Sequence, residues 1–202
     1  MLERHPLIAA LGGAVIISFS AIFFELADVS ASTGTFFRAF YALVALVILT
    51  AMIRTPVVRS RRDRNLAFAA GLFLAIDVWL WQTAIGYIGT GLATLIANSQ
   101  VVIVPLVAWA VLSERPGARV FVSMPVVVGG LVLLTGLGAA DAFGSDPVLG
   151  VVLAVIAAAF YSAFLLLYRQ SNTAQGPVLR VLRDVVAGST VGGLAAGLIA
   201  GD

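Results

Sequence analysis

The spacing of apolar and polar positions divides the chain into seven long apolar blocks, at 6–26, 32–53, 66–88, 91–112, 118–138, 147–168 and 178–200. Each is close to the roughly 20 residues an α-helix needs to cross the hydrocarbon core of a bilayer. Between the blocks stand residues that stop helices: Asp28 to Gly34, Pro56 within an arginine cluster, Gly89 to Gly91, Pro116-Gly117, Asp141 to Pro147, and Gln175-Gly176-Pro177. The fold class this predicts is all-α, a polytopic transmembrane helix bundle. The first block follows Met1-Leu2-Glu3-Arg4-His5 and so imitates a signal peptide. It is too long for a typical signal core and further spans follow it, so it reads as an uncleaved first helix.

Composition makes the membrane reading firm. Of 202 residues, 61% are hydrophobic and 11% charged, with a mean hydropathy of +1.07, more apolar surface than a soluble core of this length can bury. The net charge is +2, carried by twelve arginines and no lysine. These sit in short clusters between apolar blocks rather than along a groove with aromatics, so no nucleic-acid partner is expected. No cysteine is present, which excludes disulfides, thiolate nucleophiles and Cys-based metal sites. The lone His5 lies at the N-terminal membrane edge without convergent ligands. No H-E-x-x-H, P-loop or G-x-S-x-G pattern occurs. The sequence therefore implies no metal, no cofactor and no enzyme.

Charge also orients the chain, because cytoplasmic loops carry the Lys/Arg excess. With the N-terminus inside, Arg4, the cluster Arg54, Arg59, Arg61, Arg62 and Arg64, the pair Arg115 and Arg119, and Arg169, Arg180 and Arg183 all fall on the cytoplasmic side. Glu25, Asp28, Asp141 and Asp146 fall on the other, with Arg38 the one arginine near them. The expected location is a bacterial inner (plasma) membrane, with Asp202 outside.

A few polar side chains interrupt the apolar blocks. Asp77, in the stretch LAIDVWLWQ (Leu74 to Gln82), lies eleven residues beyond Leu66, near the midplane of the third block. An ionised carboxylate costs several kcal/mol at that depth, so it must face the bundle interior or a wet cavity, or be protonated. Trp81 stands one helical turn away on the same face, with Gln82 beside it, a setting suited to a cationic or amino-bearing solute. The alternative for Asp77 is a hydrogen bond that glues two helices together.

The fourth block places Thr94, Asn98, Val101 and Pro105 on one face, with Ser99 and Gln100 adjoining. Pro105 frees the carbonyl of Val101. Asn98 and Gln100 lie near midplane depth and either line the same cavity as Asp77 or knit helices together. Arg38, about two turns inside the second block, and Glu25, at the outer end of the first, form either a gate or a static pair, unless Arg38 snorkels to the headgroups. Glu114-Arg115 reads as a turn that serves topology, and Arg183-Asp184 as an interfacial helix start. In the last block Gly188, Gly192, Gly193, Gly197 and Gly201 form a small-residue stripe that permits close helix approach.

A weak internal echo relates Phe19-Ser20-Ala21-Ile22-Phe23-Phe24 to Tyr161-Ser162-Ala163-Phe164-Leu165-Leu166, and Phe37-Arg38 to Leu182-Arg183. The offset is five helices, an odd number, so a second copy would insert upside down relative to the first. The stretch Ala93 to Gly136, ATLIANSQVVIVPLVAWAVLSERPGARVFVSMPVVVGGLVLLTG, resembles the hairpin of helices four and five in EamA-type members of the drug/metabolite transporter superfamily. Phe36-Phe37-Arg38-Ala39-Phe40 is similar to that family's arginine motif. The resemblance implies a first five-helix repeat over 1–138 and a partial second repeat of two helices over 147–202. It also implies a secondary transporter that exports small metabolites, such as amino acids or amines, by alternating access.

That family plan has ten helices. Seven leave one wall to be supplied by missing C-terminal helices, the sequence then being a fragment, or by a partner such as a second copy in a homodimer. The competing readings are a non-transporting membrane scaffold or partner subunit, or an inactive fragment of a transporter. Expected partners are a small-molecule substrate and the lipid bilayer. The candidate binding or coupling residues are Asp77, Trp81, Gln82, Asn98, Gln100, Arg38 and Glu25.

The arginine asymmetry generates a topological prediction. A reporter active only in the cytoplasm is expected to work when fused after Arg62 or Arg119, and one active only outside when fused after Gly144. A cytoplasmic signal from the Gly144 fusion would overturn the helix count or the orientation.

Overall fold

The computed structural model describes residues 6–52, 59–134, 145–172 and 178–202. The expectations placed on Arg4, His5, Arg54, Pro56, Asp141 and the turn at 175–177 lie outside the described residues. Those residues form eight helices and no strand: α1 (Pro6–Ser18), α2 (Ser20–Ala27), α3 (Ala31–Met52), α4 (Arg61–Ala97), α5 (Gln100–Leu112), α6 (Ala118–Leu134), α7 (Pro147–Ser171) and α8 (Val178–Ala200). Four of these, α3, α4, α7 and α8, are each long and apolar enough to cross a bilayer.

The helices follow the apolar blocks, with four differences. The first block is not continuous: it breaks at Phe19 into α1 and α2. The third begins at Arg61 rather than Leu66, because Ser60 caps the helix there, its hydroxyl accepting from the amide of Asp63 at 3.0 Å. The boundary expected at Gly89 to Gly91 is a kink inside α4, where Gly89 takes φ 78° and ψ 162°, a conformation open to glycine alone at no cost. The fourth block breaks again at Asn98-Ser99, between α4 and α5. At the start of α7, the Asp146 carboxylate accepts from the Leu149 amide at 3.0 Å and Pro147 fills the first helical turn.

Helix α4 is the centre of the bundle. It runs along α7 and α8, α8 in turn packs on α3, and α5 leans on α7. Its neighbours can approach closely because the meeting surfaces are small: Ala67, Ala70, Ala84, Ala93, Ala154, Ala157 and Ala158 are all fully buried. Large apolar side chains point the other way, with Ile16, Leu133 and Ile199 more than three-quarters exposed. This distribution suits a lipid solvent, in which apolar side chains gain nothing by moving inward and small ones let backbones touch.

The tightest crossing is α4 on α8. A Cβ at Gly71 would fall 1.8 Å from the carbonyl oxygen of Val185, and one at Gly188 would fall 2.1 Å from that of Phe68. Gly192 and Gly193 of the stripe meet Ala75 and the Phe36 backbone, whereas Gly197 and Gly201 face open space. Helix α6 sits at the edge, held to α5 by Trp109 and Phe121, whose rings meet edge-on at 5.9 Å.

Polar contacts fasten both ends. Near the arginine-rich end, Arg169 donates to Glu114 at 2.8 Å, joining the α5–α6 turn to the end of α7. That hydrogen bond holds the Glu114 carboxyl below the usual carboxylate range. At the opposite end Ser32 donates to Asp202, and hydrogen bonds from Ser30 and Ser32 keep that carboxyl below its ordinary value.

The crossing can be tested directly. Gly71→Ala and Gly188→Ala are each expected to destabilise the solubilised protein by about 1–3 kcal/mol, the usual cost of forcing atoms into a packed interface. Gly197→Ala should be neutral or gain up to about 1 kcal/mol of helix propensity. Thermal unfolding in detergent measures all three, and equal effects would contradict the close crossing.

Candidate functional site

A cavity of about 710 Å³ opens inside the bundle. One face of α4 supplies Leu74, Asp77, Val78 and Trp81, at i, i+3, i+4 and i+7. Beyond the kink, Thr90, Gly91 and Thr94 continue the wall, followed by Asn98 and Gln100 at the break into α5. Arg38 of α3, Ile17 and Ser18 of α1, Ser20 and Ile22 of α2, and Tyr161 of α7 complete it.

Three helix interruptions border this space, at Phe19, Gly89 and Asn98-Ser99. At the last, the chain tightens through bonds to the third residue back: the Ser99 amide to Ile96 at 2.9 Å, Val101 to Asn98 at 3.1 Å and Val102 to Ser99 at 2.9 Å. Pro105 has no amide hydrogen to return to Val101. Irregular backbone at membrane depth is tolerated where it lines a cavity or is covered by protein, and here it brings polar atoms to the wall. The hydroxyls of Thr94 and Ser99 are buried with no hydrogen-bond partner. Thr94 itself borders the cavity, with its hydroxyl covered by protein.

Asp77 is 8% exposed. Arg38 is exposed and borders the same cavity. The two form no direct ion pair; they interact with each other and with Tyr161 through the field across the cavity. An acid, a guanidinium, a phenol and an indole thus share one space, the acid making no ion pair with any cation among the described residues. Such a wall can hold a solute that carries its own ammonium group.

Of the seven candidate residues, Asp77, Trp81, Asn98, Gln100 and Arg38 are brought to the cavity. Asn98 donates its amide back to the Thr94 carbonyl at 2.9 Å. Gln82 is turned away: it is buried, and its side-chain oxygen accepts from the Thr35 hydroxyl at 2.9 Å, stitching α4 to α3. Glu25 is exposed near the end of α2, does not border the cavity, and makes no ion pair with Arg38. Tyr161 and Ser20 were not among the candidates, although both lie in the internal echo, the one signal that pointed to them. Among the described residues no group of three or more His, Asp or Glu is placed to hold a metal ion.

Residues 5–136 match the model of the EamA-like transporter family, almost two thirds of the chain. The chain belongs to the EamA-like transporter family. No curated protein and no solved structure matches it. It is therefore an integral membrane protein of a transporter family, and its apolar helices are those of such a bundle. The family match takes in every cavity residue except Tyr161, which α7 contributes from beyond the matched region.

The absence of cysteine makes the cavity easy to probe with single introduced thiols. In the detergent-solubilised protein, Tyr161→Cys is expected to react with a small maleimide about tenfold or more faster than Ser162→Cys, whose parent side chain is fully buried, because thiol reactivity follows access. Equal rates at these adjacent positions would mean that the cavity is dry or closed.

Proposed function

We propose that the protein is a secondary transporter of small amino-bearing metabolites, amino acids or amines, moved by alternating access around the cavity at Asp77. The observation that carries this reading is a buried carboxylate with no direct cationic partner among the described residues, on a cavity wall shared with Arg38, Trp81 and Tyr161. A carboxylate at this depth is costly alone, and a bound ammonium group offsets that cost. Trp81, one turn from Asp77, adds an aromatic face for the same cation, worth about 0.5–2 kcal/mol. Arg38 offers a site for a carboxylate on the same solute.

The direction is export, following the family resemblance, and the membrane is a bacterial inner membrane with the N-terminus cytoplasmic, following the arginine asymmetry. The three helix interruptions beside the cavity support a binding role, since transporters place broken helices where solutes dock.

Binding tests this without requiring a complete transport pathway. Titration of the protein in nanodiscs with a panel of amino acids and primary amines is expected to show saturable binding. Asp77→Asn, which keeps shape and hydrogen bonding, should weaken cationic ligands about tenfold or more, equivalent to about 1.4 kcal/mol. A folded Asp77→Asn variant with unchanged affinity for every ligand that binds would leave the acid as packing glue and remove the substrate claim.

A further inference from the structure

Arg59 belongs by sequence to a loop cluster of arginines, the kind usually left in water and headgroups. Instead its side chain is only 5% exposed. One guanidinium nitrogen donates to the Asp184 carboxylate of α8 at 2.5 Å and to the Arg180 carbonyl of α8 at 3.4 Å. The other donates to the Asp63 carbonyl of α4 at 3.3 Å and to the Ser171 carbonyl at the end of α7 at 3.4 Å. A single buried group therefore ties the start of α4, the end of α7 and the start of α8 at the arginine-rich end. Asp184 also accepts from Arg183 at 3.1 Å.

The cavity lies away from this knot. It begins at Leu74 and runs past the Gly89 kink to Thr90 and Gly91, towards the opposite end of α4. Between the knot and the cavity, Val181, Val185, Ala67 and Ala70 are packed, with Leu74 against them. The bundle is thus tied shut at one end and hollow toward the other.

The chemistry of the tie suits a reversible closure. Burying two charges costs desolvation that their attraction only roughly offsets, so an ion pair returned to water at a membrane surface loses little net free energy. An apolar seal of the same area would forfeit its whole burial on opening. The Nε of Arg59 is buried without a partner, which further weakens the closed arrangement.

We infer that the Arg59–Asp184 pair is a gate: it closes the arginine-rich end in the structure seen here and must release for the cavity to be reached from that end. The inference rests on the transporter reading but is tested by access rather than by substrate. With the full chain in sealed vesicles of known orientation, Leu74→Cys serves as the reporter, because Leu74 lies at the cavity edge nearest the gate. A membrane-impermeant maleimide applied at the arginine-rich side should label it slowly. Adding Arg59→Gln or Asp184→Asn should raise that rate about tenfold or more as the open population grows. The swap Arg59→Asp with Asp184→Arg should bring it back towards the parent rate.

Unchanged labelling in folded single variants, or a swap that labels as fast as they do, would overturn the gate. If the single variants do not fold, Arg59→Lys decides, since it keeps the charge but cannot reach all three helices. Faster labelling there supports the gate, and the parent rate assigns the pair to folding alone and overturns it. Ligand binding with unmoved labelling would sink the gate and leave the transporter reading intact; responsive labelling without any ligand binding would do the reverse.

Discussion

The backbones of α4 and α8 touch where Gly71 meets Val185 and Gly188 meets Phe68, and the remaining architecture depends on that approach. In lipid there is no hydrophobic force to bring two apolar helices together, so association relies on close van der Waals contact and on the few polar groups that can be shared. Small residues make the contact possible on every face of α4 that meets a neighbour. With α4 clasped by α7 and α8, and α8 by α3, the one remaining face of α4 is left to border a cavity.

That face carries the acid. Asp77 stands sixteen residues beyond Arg61 and twelve before the Gly89 kink, about 18 Å along the helix from the kink at 1.5 Å per residue. The helix interruptions at Phe19, Gly89 and Asn98-Ser99 border the same space, where irregular backbone lines a cavity instead of facing lipid. Breaks, acid and cavity are one arrangement: each would be costly against hydrocarbon, and each is tolerable because the others keep the space polar.

The two ends of the bundle are held differently. One is fastened by Ser30, Ser32 and Asp202, around the first turn of α3. The other is gathered by Arg59 on three helices and by the more exposed Arg169–Glu114 pair. An exposed pair of that kind is worth little in isolation, whereas a guanidinium buried among carbonyls cannot lose its carboxylate without leaving a charge stranded. The arginines clustered at this end are thus not all equivalent, and one of them has been drawn into the interior.

Much of the fold was legible in the chain itself. Apolar length, Gly89 and Pro147 are local signals, and the helices start, kink and stop close to where those residues stand, although α4 begins at the Ser60 cap ahead of the expected Leu66 and passes through Gly89 instead of ending there. Asp77 was conspicuous for the same reason, because an acid in hydrocarbon is costly whatever surrounds it. The fold alone decided that Gln82 turns to Thr35, that Glu25 stays outside the cavity, that Tyr161 and Ser20 reach it, that the first block breaks at Phe19 without a glycine or proline, and that Arg59 is buried. In a water-soluble protein the apolar stripe of a helix announces which face turns inward. Here lipid and bundle interior are equally apolar, so the pattern along a spanning helix marks its length and depth but not its facing, and only packing against neighbours settles which side chains meet.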